Sequence, residues 1–321
     1  MKKEKEKILI IKSGYTEMLD KEIDSRRTSY GEVLRTTCIL YLFKDDYVTW
    51  VSDESAFPLL KDNPFINRLL RLDFLTLPQL EQEYFDTVIN LEKTAGICAF
   101  TRKIDAWKKY GFRFDPRTGE VKAHDKATEV LSLGTDYESK RQNKKTAQEL
   151  LFEMVGEKWN GEEYILGYTP KSKELYDVGL NTQVGLKWPT KAWSMKKWDD
   201  LEERLITAGL KVTRQDKQAK EILENLYSYM DWINSSKMIV SNDSLGLHLG
   251  IAMKKKVLGL FGATPHREVH FYGRGEAILP EPVPECLPCF DSECKREKNC
   301  IEDISVERIY KSVMKHMNLS I

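Results

Sequence analysis

The sequence predicts an α/β protein made of two doubly wound units. Three observations carry the prediction: short branched apolar runs alternate with amphipathic helical patterns, the alternation comes in two separate series, and 321 residues suffice for two ordinary domains.

Lys7-Ile8-Leu9-Ile10-Ile11-Lys12 is an apolar run with polar ends, the pattern of a strand buried on both faces of a parallel sheet. From Val33 onward, Val33, Leu34, Thr37, Cys38, Tyr41 and Leu42 recur at three- and four-residue spacing and predict an amphipathic helix. Val48-Thr49-Trp50-Val51, Arg68 to Leu72 and Thr87 to Leu91 read as strands, and Ala147 to Val155 as a helix. The second series opens with a strand at Val178 to Asn181. Ser194 caps a helix reaching about Ala208, where Gly209 ends it. Strands at Lys211 to Thr213 and Lys237 to Val240 flank a helix around Leu226 to Ile233, and Lys256 to Phe261 closes the series. The two series join near residues 160–177, giving domains 1–170 and 171–321 with a ligand cleft expected between them. Beyond Gly273, Pro280, Pro282, Pro284 and Pro288 interrupt regular structure ahead of a final helix from Ser305 to about Met317.

Fifty Lys and Arg balance fifty Asp and Glu, so no global basic field marks a nonspecific nucleic-acid binder, and no nucleic-acid partner is expected. The apolar run behind the charged start is too short for a signal-peptide core. No stretch approaches the roughly 20 apolar residues of a bilayer span. A cytoplasmic location follows as the expectation, with thiols kept reduced.

Four segments carry residues fit for chemistry. Cys286-x2-Cys289-x4-Cys294-x5-Cys300 puts four thiols in one proline-punctuated loop, the makings of a closed structural site for zinc or iron, with free thiols or occasional disulfides as the alternative. Cys38 and Cys98 stand alone in apolar contexts. Around Asp243, Ser244, Gly246 and His248 a strand ends and a helix begins, where free N–H groups suit an anion. The plainer alternative is that Asp243 or Ser244 only caps that helix. Gly185 to Trp193 follows a strand, with Lys187 and Lys191 able to meet phosphates or to remain solvated, and Trp188 and Trp193 able to wedge the loop. Ser29-Tyr30-Gly31-Glu32 has the spacing of a capping box, which gives Glu32 a structural role to set against a chemical one.

Taken in order, these pieces resemble glycosyltransferase family 9, which contains the ADP-heptose:lipopolysaccharide heptosyltransferases. The resemblance spans nearly the whole chain. It rests on Ile8 to Ile11, Ser29 to Leu34, Thr49-Trp50-Val51 and Pro58 to Pro64, then Trp188-Pro189-Thr190-Lys191-Ala192-Trp193, Asp243-Ser244-x3-His248 and Leu260-Phe261-Gly262-Ala263-Thr264. It implies the GT-B architecture of two facing Rossmann-like domains, with the acceptor held by the first and the nucleotide sugar by the second. It also implies inverting transfer that needs no metal, with Glu32 where the family has an Asp base. Leu245 precedes Gly246 where the family has Gly in third place, and Arg214 to Gln218 stands where a glycine-rich turn is common. Residues 13–28 make a longer loop than the family turn.

The resemblance therefore implies a transferase moving a heptose from ADP-heptose to a lipopolysaccharide-core or related glycan hydroxyl. Glu32 is the expected base, Lys187, Thr190, Lys191, Asp243, Ser244, Gly246 and His248 the donor residues, and Ser29 an acceptor residue; Arg26 and Arg27, in the longer loop, have guanidinium forks suited to acidic groups of an acceptor, with a solvated loop as the alternative. At most a peripheral contact with the inner membrane is expected. Cysteine clusters recur near the carboxyl end of this family, and in its protein-modifying autotransporter members the cluster holds iron. The rival readings are another donor or a protein acceptor, and a catalytically silent sugar-nucleotide-binding or metal-sensing protein.

Overall fold

The structure, a computed structural model, describes residues 4–15, 28–185 and 188–319. The chain divides into two compact units, Met1–Tyr168 and Thr169–Ile321, each around its own sheet.

In the first unit Ile8 to Ile11 are wholly buried, which demands a central strand covered on both faces. The strands are β1 (Lys7–Ile11), β2 (Tyr47–Ser52), β3 (Arg68–Arg71), β4 (Tyr84–Asn90), β5 (Asp105–Phe114) and β6 (Val121–Ala123). They lie in the order β3-β2-β1-β4-β5-β6, all parallel except the β5–β6 pair. The order reverses between β1 and β4, and the polar residues after these two strands share that point. Leu9, Ile11, Val51, Phe85 and Val88 pack with Ile97 and Phe100 from the helix Ala95–Lys103 to form one core cluster.

Three local features depart from the pattern read in the sequence. The helix expected from Val33 is α-helical only over Tyr30–Thr36 and continues as a 3-10 helix over Thr37–Phe43. Thr36, Thr37 and Cys38 each donate a side-chain hydrogen bond to the carbonyl three residues back, which favours the tighter winding. β5 lacks an apolar run, because Lys108 and Lys109 interrupt it. Lys109 Nζ instead donates to the carbonyls of Thr101 and Arg102 at the end of the preceding helix, each at 3.2 Å. Within β5, Gly111 has φ +85°, and a Cβ there would lie 1.9 Å from the Asn90 carbonyl oxygen. The segment before the second unit is strapped to the first. Asn63 Nδ2 donates to the Ile165 carbonyl at 3.1 Å, and Thr37 Oγ1 accepts from the Ile165 N–H at 2.8 Å.

The second unit holds β7 (Tyr176–Asn181), β8 (Val212–Arg214), β9 (Ser236–Asn242), β10 (Lys256–Leu260) and β11 (Gly275–Ile278). All pairs are parallel, in the order β11-β10-β9-β7-β8, so the reversal falls between β7 and β9. The helix Met195–Thr207 ends ahead of Gly209, as its pattern suggested, but Ser194 does not cap it. Its N–H and hydroxyl both donate to the Glu302 carboxylate, at 2.7 and 2.9 Å. Trp193 and Trp198 meet edge to face at 5.0 Å within the core, beside Ile309 and Val313 of the final helix Val306–Met317. Ser305 does cap that last helix, accepting from the Arg308 N–H at 3.2 Å.

Gly111→Ala places a methyl group against backbone in a conformation L-residues avoid. It is expected to destabilise the first unit by at least about 2 kcal/mol, read as a drop in urea midpoint.

Candidate active site

Parallel strands leave a sheet on one side, and ligands of such folds bind beyond their carboxyl ends where the order reverses. In the first unit that place holds Lys12, one residue past β1, and Glu92, two past β4. Lys12 Nζ lies 3.1 Å from Glu32 Oε2 and 3.2 Å from Glu92 Oε1. Lys12 and Glu92 are buried, with side chains 8% and 1% exposed, while Glu32 keeps 22%. Burial works against the Lys12 ammonium, and Glu92 and Glu32 outweigh it, so its pKa is raised.

Glu32 does not form the capping box that its spacing with Ser29 allows. Ser29 stands at the N-cap of Tyr30–Thr36 but makes no side-chain cap bond. Its backbone serves instead, the N–H donating to the Gly14 carbonyl at 2.7 Å and the carbonyl accepting from the N–H groups of Glu32 and Val33. The chain thus leaves at Gly14 and returns at Ser29, so the long loop is pinched at its base. Arg26, Arg27 and Lys187 lie outside the described residues. Glu32 Oε2 is held by Lys12, and among the described residues Oε1 has no hydrogen-bond partner.

In the second unit Asp243 follows β9 and precedes the helix Leu245–Ala252. Neither Asp243 nor Ser244 caps this helix. Asp243 Oδ2 accepts from Lys191 Nζ at 2.7 Å and from Thr264 Oγ1 at 2.5 Å. Burial opposes the Asp243 charge, but Lys191 and His248 outweigh it and the hydrogen bonds add to them, so its carboxyl is held down at about 2. His248 is buried on the helix behind it. Lys191 also lies 5.9 Å over the Trp188 ring.

Ser244 Oγ accepts from Asn181 Nδ2 at 2.8 Å, and Asn181 at the end of β7 also takes the Tyr229 hydroxyl and donates to Ser241. Gly246 faces the same amide: a Cβ there would lie 2.5 Å from Asn181 Cγ. Thr190 is turned elsewhere, its hydroxyl donating to the Asp291 carbonyl at 2.8 Å and hooking the lysine loop to the cysteine loop. Where a glycine-rich turn was sought, Arg214 is buried against Asp199, Glu202 and Asp216, and Asp216 accepts from Thr182. These bonds tie the β8 end into the unit.

The cysteines do not assemble as expected. Among the described residues no three His, Cys, Asp or Glu side chains are arranged to hold a metal ion. All four are free thiols, Cys286 exposed and Cys300 buried. They share a neighbourhood: burial first, then Cys289, Cys294 and Cys286, push the Cys300 thiol up to about 11. Other bonds shape the loop, from the Phe290 N–H to the Ala263 carbonyl and from Arg296 and Lys298 to Asp303. The residues as placed therefore do not fit a bound metal.

Lys12, Glu92 and Asn181 were not singled out in the sequence. The available signal was position: each ends a strand or lies within two residues of its end at one of the two reversals.

A model of glycosyltransferase family 9 (heptosyltransferase) matches residues 76–300, more than half of the sequence. The chain belongs to glycosyltransferase family 9. Comparison with curated proteins by sequence gives no match. Among solved structures, this family 9 transferase is similar to E. coli ADP-heptose lps heptosyltransferase II, with 14% identity over 97% of this chain and 98% of that one, and a TM-score of 0.62. E. coli heptosyltransferase WaaC with ADP-2-deoxy-2-fluoro heptose matches with 14% identity over 96% and 99%, and a TM-score of 0.59. The iron-containing dodecameric glycosyltransferase TibC from enterotoxigenic E. coli matches with 11% identity over 98% and 76%, and a TM-score of 0.58. These likenesses place the transferase among α/β proteins of the GT-B heptosyltransferase fold. Among its described residues no helix is long and apolar enough to cross a membrane.

The depressed Asp243 carboxyl makes a prediction about stability. Its folded value lies below the ordinary carboxylate value of 3.8, so its contribution is present above about pH 4 and is lost as pH falls toward 2. Asp243→Asn should lower stability by about 2 kcal/mol at pH 7. The gap between variant and parent in urea midpoints should close as pH falls through that window.

Proposed function

We propose that this family 9 transferase moves a heptose from ADP-heptose onto a hydroxyl of a lipopolysaccharide-core or related glycan, with inversion at the anomeric carbon. The first unit would hold the acceptor and the second the nucleotide sugar. The observation that carries the reading is the state of Glu32: it makes no capping box, one of its oxygens is fixed by Lys12, and among the described residues the other has no hydrogen-bond partner.

In this scheme the acceptor hydroxyl gives its proton to Glu32 Oε1 as its oxygen bonds the anomeric carbon. The bond from that carbon to the diphosphate breaks, and its electron pair leaves with ADP. Charge growing on the diphosphate would meet the leading N–H groups of Leu245–Ala252, together with Lys191 and His248. Asp243 holds Lys191 at 2.7 Å, which fixes the ammonium in front of that helix end before any donor arrives. Asp243 would also offer an oxygen to a sugar or ribose hydroxyl. The solved relatives support the donor, since WaaC was captured with an ADP-heptose analogue and a TibC structure with ADP-D-beta-D-heptose.

Isothermal titration against a panel of nucleotide sugars tests the donor, with ADP-heptose expected to bind and His248→Ala to weaken it. Binding of no nucleotide sugar in the panel overturns the reading. Lys191→Ala is expected to lower kcat more than it raises KM, as for a group that meets charge formed in the transition state. Glu32→Gln is expected to keep its stability and donor affinity and to lose roughly a hundredfold or more in transfer rate. Near-normal transfer by the folded variant would move the search for a base to other carboxylates.

A further inference from the structure

Lys12 and Glu92 have no part in the reaction as drawn, yet they form the most deeply buried charged pair beside it. Lysine and glutamate are rarely buried in this way without a partner and a purpose in the surrounding structure. Glu92 Oε1 pairs with Lys12 Nζ at 3.2 Å and accepts from the Gly14 N–H at 2.9 Å, so one oxygen ties down the ammonium and the start of the long loop. Glu92 is itself fixed. Its N–H donates to Asn90 Oδ1 at 3.1 Å, its carbonyl accepts from the Cys98 thiol, and Asn90 Nδ2 donates to the Phe112 carbonyl of β5 at 2.8 Å. The Lys12 backbone is equally held, its N–H donating to the Val51 carbonyl at 3.0 Å and its carbonyl accepting from Ser52 Oγ at 2.8 Å.

We propose that Lys12, anchored by Glu92, is the positioning residue for Glu32. The proposal rests on the reading of Glu32 as the base and deepens it. Three strand ends converge on Lys12: β1 leads into it, β2 holds its backbone, and Glu92, two residues past β4, supplies the counter-charge that keeps its ammonium in place. The free end of that ammonium takes Glu32 Oε2 at 3.1 Å, which stops the carboxylate from turning and leaves Oε1 as the oxygen that meets the acceptor hydroxyl. Glutamate has one more rotatable bond than aspartate, so at this position a fixed point on the carboxylate matters for orientation. Two carboxylates share one ammonium, so Glu32 is oriented by a cation that Glu92 also holds.

Removing Lys12 alone would leave Glu92 buried and uncompensated, which is expected to cost folding. The test therefore uses K12M/E92Q, which removes both charges together while the glutamine amide oxygen still accepts from the Gly14 N–H. Four proteins are compared for glycosyl transfer with ADP-heptose and for donor affinity: the parent, E32Q, K12M/E92Q, and the triple variant K12M/E32Q/E92Q. K12M/E92Q is expected to lose roughly tenfold or more in kcat with donor affinity unchanged, since a misplaced catalytic group costs rate rather than binding. The triple variant should be no slower than E32Q, because a residue that acts only through Glu32 has nothing left to act on. K12R, which keeps the cation, should recover most of the rate.

A folded K12M/E92Q with kcat within threefold of the parent overturns the positioning role and leaves the base reading intact. Losses that multiply in the triple variant also overturn it, since they indicate a role independent of Glu32. Parent-like transfer by E32Q overturns the base reading and the positioning role together.

Discussion

Parallel pairing sends every strand of a sheet out on the same side, and that constraint decides where polar side chains can gather in this molecule. The carboxyl-terminal halves of β1, β4, β7 and β9 are buried and carry no charged side chain, and Lys12, Glu92 and Asp243 stand just past the ends of three of them. At each reversal of strand order two neighbouring ends diverge, and the space left is filled by side chains that satisfy one another. Lys12, Glu32 and Glu92 do so in the first unit. Asn181, Asp243 and Lys191 do so in the second.

The two clusters solve the same problem by different chemistry. In the first, a single ammonium serves two carboxylates. In the second, one carboxylate serves an ammonium and a hydroxyl just ahead of a helix start.

Much of the architecture was legible in the sequence because buried parallel strands advertise themselves. Ile8 to Ile11, Val48 to Val51 and Lys256 to Leu260 are short, branched and bounded, and each is a strand. β5 was not legible, since its lysines face outward or reach a helix end, and Gly111 is explained only by a carbonyl on the neighbouring strand. The site was half legible. Asp243 and Lys191 were named from motif order, and the structure joins them. Ser29 and Glu32 have the spacing of a capping box, but spacing cannot reveal that a lysine twenty residues earlier competes for the carboxylate and holds it. The cysteine spacing suggested a metal cage in the same way, whereas contacts from Thr190, Ala263 and Asp303 shape the loop.

The contact between Gly246 and Asn181 reaches beyond this one chain. The Asn181 amide is held by Tyr229, Ser241 and Ser244 together, so it cannot swing aside to admit a side chain opposite. Positions 181 and 246 are therefore bound as an evolutionary pair. A descendant that gains a side chain at 246 must also have shortened residue 181 and found new partners for three hydroxyls, so the two positions change together.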